Sequence, residues 1–392
     1  MKAHPTPLGY RPELDGLRAL AVAAVMLFHA NANWAKGGFL GVDVFFVLSG
    51  FLITRLLLEE REVTGHVGLL RFYLRRVLRL FPALAAVSLA VAVYAHIWLS
   101  HDQAAQTWSD VLATATYHMN WVEALTARPL FGLLDHAWSL SIEEQFYVLW
   151  PLLLIVAHKL GGKRAVLGAA LVGAAASAAL RAGLLHPHVT FDPRVYYGLD
   201  THADGLLIGC ALAAASLIWT DLPARITSRA GRWVGPAALV ALAVAVASVS
   251  LRSRWLYEWG YLVIVVVCAA LVADLYAGGI TSRLLHHEPL VFVGRISYGL
   301  YLWHWPVYLV LNGGRIHWPF IPLTLLRLAV SGLCALASFV FVERPFLRLK
   351  DRLEPALLAR NRNRSADLTP NSPDALRPRG SSPAGKDPNP AG

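Results

Sequence analysis

Charge is scarce in this sequence. Of 392 residues only 15% are Asp, Glu, Lys or Arg, while 56% are hydrophobic and the mean hydropathy is +0.49. Soluble domains carry about 25% charged residues. A chain this poor in charge cannot clothe a water-facing surface, so the solvent around most of it is lipid. Cysteine is nearly missing. Cys210, Cys268 and Cys334 each fall inside an apolar stretch without metal-ligand spacing. That argues against a cysteine-bound metal and leaves them as small packing residues. Arginine far outnumbers lysine and alanine is abundant, a bias that points to a GC-rich bacterial genome. Neither an internal repeat nor a pair of Gly/Pro-broken spans is visible, which weighs against an inverted-repeat transporter.

What the chain does have is long apolar runs. Stretches long enough to span a bilayer, about 17–25 residues each, fall at 17–34, 40–57, 80–99, 140–158, 165–183, 203–219, 234–250, 257–276, 291–311 and 321–342. The expected fold is all-α, a polytopic bundle of about ten transmembrane helices. The stretch 107–134 is mixed in character and reads as an outer loop, with a surface helix around Trp108–Trp121. The net charge of +10 would suggest nucleic acid in a soluble protein, but here its placement matters more. With the N-terminus in the cytoplasm, most Lys and Arg fall in cytoplasmic segments, as the positive-inside rule requires, and both termini lie inside. A rival reading of the start is a cleaved leader, with an apolar core at 19–28 and small residues at Ala30 and Ala32. Cleavage would remove the even span count that the charges favour. From Pro355 the sequence turns to Pro, Ser, Gly and Asn. Such a segment cannot bury enough apolar surface to offset ordering entropy, which predicts a disordered cytoplasmic tail at 355–392. The membrane domain at 8–350 is therefore the expected seat of function.

Ionisable side chains within spans are costly and usually face a bundle interior or a water-filled cavity. Arg18 and His29 are 11 residues apart in "DGLRALAVAAVMLFHA". At about 100° per residue they share a helix face, with a rise of roughly 16 Å between them. Two readings are open: a snorkelling anchor with an interface histidine, or one wall of a site. Asp43 lies in the outer part of the second span. Mid-span, Ser49-Gly50 is small enough for close helix packing. Arg71, Arg75 and Arg79 recur at i+4 spacing, and Arg76 forms an R-x-x-R with Arg79. This stripe reads either as positive-inside anchoring or as a phosphate clamp. In "HAWSLSIEEQFYVLWP", His136 and Trp138 lie just outside the membrane, and Glu143 and Glu144 enter the fourth span. Ser141-x-x-Glu144 fits a capping box, although two adjacent carboxylates exceed what a cap needs. Asp200, His202 and Asp204 open the sixth span. His304 stands between Trp303 and Trp305 as an aromatic-belt residue or a site residue. Glu343–Arg344 reads as a helix-end ion pair. Acidic and imidazole groups thus gather toward the outer end and arginines toward the inner end.

Several blocks together resemble the acyltransferase-3 family of integral membrane acyltransferases. They are "YRPELDGLRALAVAAVMLFHA", "GGFLGVDVFFVLSGFLIT", "FYLRRVLRLFPA", "AWSLSIEEQFYVLWP", "ISYGLYLWHWP" and "VERPF", running from Tyr10 to Phe346. Arg18 and His29 fit that family's R/K-x10-H signature, and Arg76 with Arg79 its R-x-x-R signature. The resemblance implies a ten-span bacterial plasma-membrane enzyme. Such an enzyme moves an acyl group, often acetyl, from acyl-CoA to a hydroxyl of an extracytoplasmic glycan or glycoside. Some members carry a fused SGNH-type hydrolase domain. None is found in this sequence, so transfer is expected either without it or with a separate extracytoplasmic transferase as partner.

On that footing Arg18, Arg75, Arg76 and Arg79 are expected to hold the CoA phosphates. His29 is the expected general base or acyl carrier, with Glu143 or Glu144 orienting it. His304 is expected to bind substrate or transfer a second proton. Asp43, Asp204 and Trp138 are candidates for the acceptor side. No metal and no nucleic acid are expected, and membrane lipid is the surrounding partner. A transporter or flippase of a glycan or lipid intermediate is the alternative, since it too needs intramembrane ionisable residues.

Overall fold

The computed structural model describes residues 9–126, 132–350 and 352. The disordered tail expected at 355–392 lies outside the described residues. Within them every regular element is helical. The elements are α1 (Pro12–His29), α2 (Gly41–Thr64), α3 (Leu69–Trp98), α4 (His101–Ala115), α5 (Met119–Leu125), α6 (Trp138–Leu184), α7 (Pro193–Tyr197) and α8 (Leu199–His202). They continue with α9 (Asp204–Ile218), α10 (Leu222–Thr227), α11 (Val234–Ser248), α12 (Tyr261–Ala277), α13 (Ser282–Leu285), α14 (Glu288–Arg295), α15 (Ser297–Val310) and α16 (Phe320–Ser338).

Six helical stretches are long and apolar enough to cross a membrane: Gly38–Thr64, Leu69–Trp98, Asp135–Leu184, Gly231–Ser248, Leu256–Ala277 and Phe320–Lys350. Their outer faces are apolar and exposed, as at Leu89, Val93, Val172, Val240, Leu325 and Leu333. In water such surface would be a liability; against hydrocarbon it is the expected face. The described residues are thus all-α, with several helices of the length and apolarity that a multi-pass membrane protein needs. The other expected spans fall on α1, on the shorter apolar α9 and on the α14–α15 pair.

The 47-residue α6 contains two of the expected spans. It is interrupted at Gly161 and Gly162, and Gly162 has φ +63°, a backbone setting that favours glycine. His158 bonds Arg61 at 3.0 Å and Lys163 pairs with Glu62, both at one end of α2. Trp138 and Arg181, from the two far ends of α6, both meet the 202–204 segment. The chain therefore reverses at the glycines. α2 runs through the centre, with Phe46, Val47, Leu48, Phe51 and Leu57 fully buried. It packs so closely on α9 that a Cβ at Gly50 would strike the Leu206 carbonyl, which is why the small pair Ser49-Gly50 stands there.

Three details differ from the sequence reading. The surface element expected at 108–121 is two helices, α4 and α5, separated where Tyr117 adopts φ +53°. The stretch 291–311 breaks at Ile296 into α14 and α15, and Gly294 of α14 sits directly against the Asp15 backbone of α1. Ser141 is not a helix cap. α6 already starts at Trp138, and the Ser141 hydroxyl bonds the Ala137 carbonyl and the Met119 amide inside the bundle.

Candidate active site

A cavity of about 730 Å³ opens between α1, α2, α3, α6 and α15. Cations line it from several directions: Arg18 of α1, Arg75, Arg76 and Arg79 of α3, Arg295 of α14, and Lys350. The i+4 spacing of Arg75 and Arg79 places both on one stripe of α3, and Arg76 follows beside it. The four arginines expected to hold the CoA phosphates thus meet in one cavity, together with Asp15, Glu143, Glu144 and Glu343, whereas Arg71 lies outside it beside Glu60.

These charges are organised. Arg76 donates to Glu144 at 3.1 Å and lies 3.3 Å from the centroid of the Tyr147 ring, an ion pair combined with a cation–π contact. Glu143 accepts from the Ser49 and Tyr147 hydroxyls, each at 3.3 Å. Arg18 is held by Asp15 at 3.1 Å, and Asp15 in turn accepts from Tyr10 at 3.0 Å. Arg79 is exposed toward the cavity and makes no ion pair with a carboxylate among the described residues. Glu343, expected to pair with Arg344, is instead buried and lines the cavity, bonded by the Ser338 hydroxyl at 3.4 Å. A π-helical turn at Phe339–Glu343 directs it there, a local distortion often found at functional sites.

Toward the His29 end, the cavity wall is formed by Phe45, Ser139 and Tyr301. The rings of Phe45 and Tyr301 meet edge to face at 6.5 Å. The Tyr301 hydroxyl donates to the His136 carbonyl at 2.8 Å and bonds the Ser139 hydroxyl at 2.6 Å. Past Tyr301 lies a group of histidines. The His304 and His136 rings are each 5.5 Å from that of Tyr301. His29 Nδ1 is 2.9 Å from His304 Nε2, and the Trp305 ring lies 4.6 Å from that of His29.

The hydrogen-bond pattern fixes the tautomers of the neutral rings. His304 Nδ1 is 2.6 Å from the Tyr301 carbonyl, which only accepts, so Nδ1 carries the proton. His304 Nε2 is then an acceptor, and His29 must donate from Nδ1. That leaves His29 Nε2 with its lone pair free for a substrate proton. By the same logic His136 donates from Nε2 to the Leu302 carbonyl at 3.1 Å. Its buried Nδ1 is an acceptor with no partner among the described residues.

The carboxylates expected to orient His29 do not occupy that place. Glu143 and Glu144 stand in the cavity with Arg76, Ser49 and Tyr147, and the partner of His29 is His304. The acceptor-side candidates form a cluster of their own. Asp43 bonds His202 at 3.2 Å, Asp204 pairs with Arg181 at 2.7 Å, and all four side chains are buried. Trp138 packs over His202 at 5.7 Å and Tyr196 at 4.8 Å. Arg181, His136, Ser139, Tyr301 and Glu343 were not singled out as site residues. Tyr301 was legible in principle, since it lies three residues before His304 on the same helical face. Among the described residues no group of His, Cys, Asp and Glu is arranged to hold a metal ion.

Residues 11–343 match the acyltransferase domain family, acyltransferase-3. The chain is 35% identical over 349 residues to the peptidoglycan O-acetyltransferase OatA of Listeria monocytogenes, covering 86% of this chain and 56% of that protein. It is 32% identical over 349 residues to the O-acetyltransferase OatA of Staphylococcus aureus, covering 86% of this chain and 57% of that protein. The chain thus spans a little over half the length of these curated relatives. No solved structure matches it.

Proposed function

This chain belongs to the acyltransferase-3 family, and on that premise we propose that it carries acetyl from cytoplasmic acetyl-CoA to a hydroxyl of a cell-envelope carbohydrate. In this reading residues 8–350 form a ten-span domain of the bacterial plasma membrane with both termini in the cytoplasm. The OatA relatives, one of them named as a peptidoglycan O-acetyltransferase, favour a cell-wall glycan as acceptor. A separate extracytoplasmic transferase is the partner if the glycan lies beyond reach of the membrane domain.

The cavity supports the donor side. CoA phosphates are anionic, and Arg79 offers an uncommitted fork of donors where Arg18, Arg75 and Arg76 add positive field. The pantetheine arm extends along the cavity toward Tyr301. The roughly 16 Å rise from Arg18 to His29 is comparable to its reach. At the far end His29 Nε2 takes the proton of the acceptor hydroxyl. The oxygen attacks the thioester carbonyl, the C–S bond breaks, and the thiolate leaves with the acyl–oxygen bond formed. His304 holds the His29 ring in the reactive tautomer, as a triad orienter would. Base catalysis of this type contributes about 10²–10⁴-fold, and positioning of donor and acceptor supplies much of the remainder.

The observation that carries this reading is the His29–His304 contact at 2.9 Å, placed just past the end of a cation-lined cavity. Its test is to incubate purified protein with labelled acetyl-CoA and soluble peptidoglycan fragments. Release of CoA with label in the glycan supports the reading. Movement of glycan or lipid across vesicles without consumption of acetyl-CoA would return the protein to the transporter class.

A further inference from the structure

We propose that a lateral groove between α3, α15 and α16 binds an anionic phospholipid from the leaflet that surrounds the His29 end of the bundle. The fatty chain lies in the groove and the phosphate meets Arg315 and Arg327. This goes beyond the acetyl-transfer reading and does not depend on it.

The groove is a second cavity of about 250 Å³, walled by Val91, Trp303, Val307, Val310, Leu326 and Val330. Aliphatic and aromatic walls offer nothing to a sugar or a free anion, so the groove suits a hydrocarbon chain. Its rim is different. Tyr94 and Leu311 also line it. The Tyr94 hydroxyl takes a hydrogen bond from Arg315 at 2.6 Å, and the Leu311 carbonyl takes one from Arg327 Nε at 2.9 Å. Arg327 also lies 5.3 Å from the Tyr308 ring. Neither arginine pairs with a carboxylate among the described residues. A cation within an apolar helix is costly and marks a site when no acid neutralises it. Arg327, buried in α16, is such a cation, and Arg315, in the exposed turn before α16, adds a second charge beside the groove. Together they select a lipid whose headgroup carries negative charge and acceptor oxygens.

The bound lipid is not the acceptor in place. Trp303, Val307 and Val310 share one face of α15, and His304 and Tyr308 lie about 90° and about 130° around from the middle of that face. A chain in the groove therefore sits behind the helix that carries His304, where it braces α15 against α3 and α16.

The test uses the full chain, purified and stripped of lipid, with bound lipid counted by native mass spectrometry. Dioleoyl phosphatidylglycerol is titrated against phosphatidylcholine of the same chains, and against glycerol phosphate without chains. The expected result is preferential retention of phosphatidylglycerol and none of glycerol phosphate. Arg315→Gln, at an exposed position, weakens retention about tenfold by removing a charge-assisted contact. Val307→Trp, which fills the groove, abolishes it, and Arg327→Gln repeats the loss from the second cation. Equal retention of both lipids overturns the proposal. So does phosphatidylglycerol binding unchanged in Arg315→Gln or undiminished in Val307→Trp.

Discussion

His29 Nδ1 and His304 Nε2 lie 2.9 Å apart, although 275 positions separate the two residues in the chain. The contact joins the last residue of α1 to the middle of α15. Because the Tyr301 carbonyl claims the other nitrogen of His304, the pair has a direction: proton on His29 Nδ1, lone pair on His29 Nε2. His304→Ala removes the acceptor that enforces this tautomer. It is expected to lower kcat for acetyl transfer by about 10²-fold with the KM for acetyl-CoA little changed. His304→Gln, which keeps an acceptor, should recover part of the loss. Steady-state kinetics with acetyl-CoA varied at fixed glycan measures both.

The two arginines of the R-x-x-R motif have different surroundings and should fail differently. Arg76 is tied to Glu144 and stacked on Tyr147. Arg76→Ala should cost about 1–2 kcal/mol of stability and lower the thermal midpoint. Arg79 faces the cavity without an acid partner among the described residues. Arg79→Ala should leave the midpoint near wild type and raise the KM for acetyl-CoA about tenfold. Thermal melting beside donor kinetics separates the two. Identical effects from both substitutions would mean that the motif works as an undivided patch.

The ion pair of Arg181 with Asp204 is buried on both sides. Removing one partner strands a charge, so Arg181→Ala should destabilise the bundle by about 3–5 kcal/mol. Replacing both residues by leucine should recover much of that loss, because the cost lies in the unpaired charge. Denaturant titration in detergent, comparing the single and double variants, distinguishes this from a direct role in catalysis.

Packing of α2 on α9 depends on the missing side chain at Gly50. Gly50→Val places atoms where the Leu206 carbonyl stands, and overpacking of this kind costs about 1–3 kcal/mol. Gly168→Val, at a position with open space around its Cα, should cost less. Folded yield after detergent extraction reads the difference.

Much of this was legible in the sequence because membrane helices are written in long apolar runs. Helical periodicity alone put Arg18 and His29 on one face, and put Arg75 and Arg79 in one stripe that lines the cavity, while Arg71 of the same stripe turns instead to Glu60. Ser49-Gly50 announced a close helix crossing, and Leu206 supplies the other side of it. What escaped depends on partners far away in the chain. The carboxylates at 143 and 144 looked free to serve a histidine, because nothing local shows that Ser49 and Arg76 would claim them. Asp43 and Asp204 read as acceptor-side groups, yet His202 and Arg181 reach them through the fold. Two local departures from a regular helix were equally invisible: the break at Ile296 between α14 and α15, and the π turn at Phe339–Glu343, where an apparent helix-end acid lines the cavity.

The central claim is that His29 Nε2 is the base at the end of the donor cavity. The most direct measurement is label transfer from acetyl-CoA to peptidoglycan fragments by purified His29→Ala protein, at matched folded amount. The account predicts loss of at least about 10²-fold in transfer, with acetyl-CoA binding retained through the arginines of α3. Near wild-type transfer by that variant would contradict it.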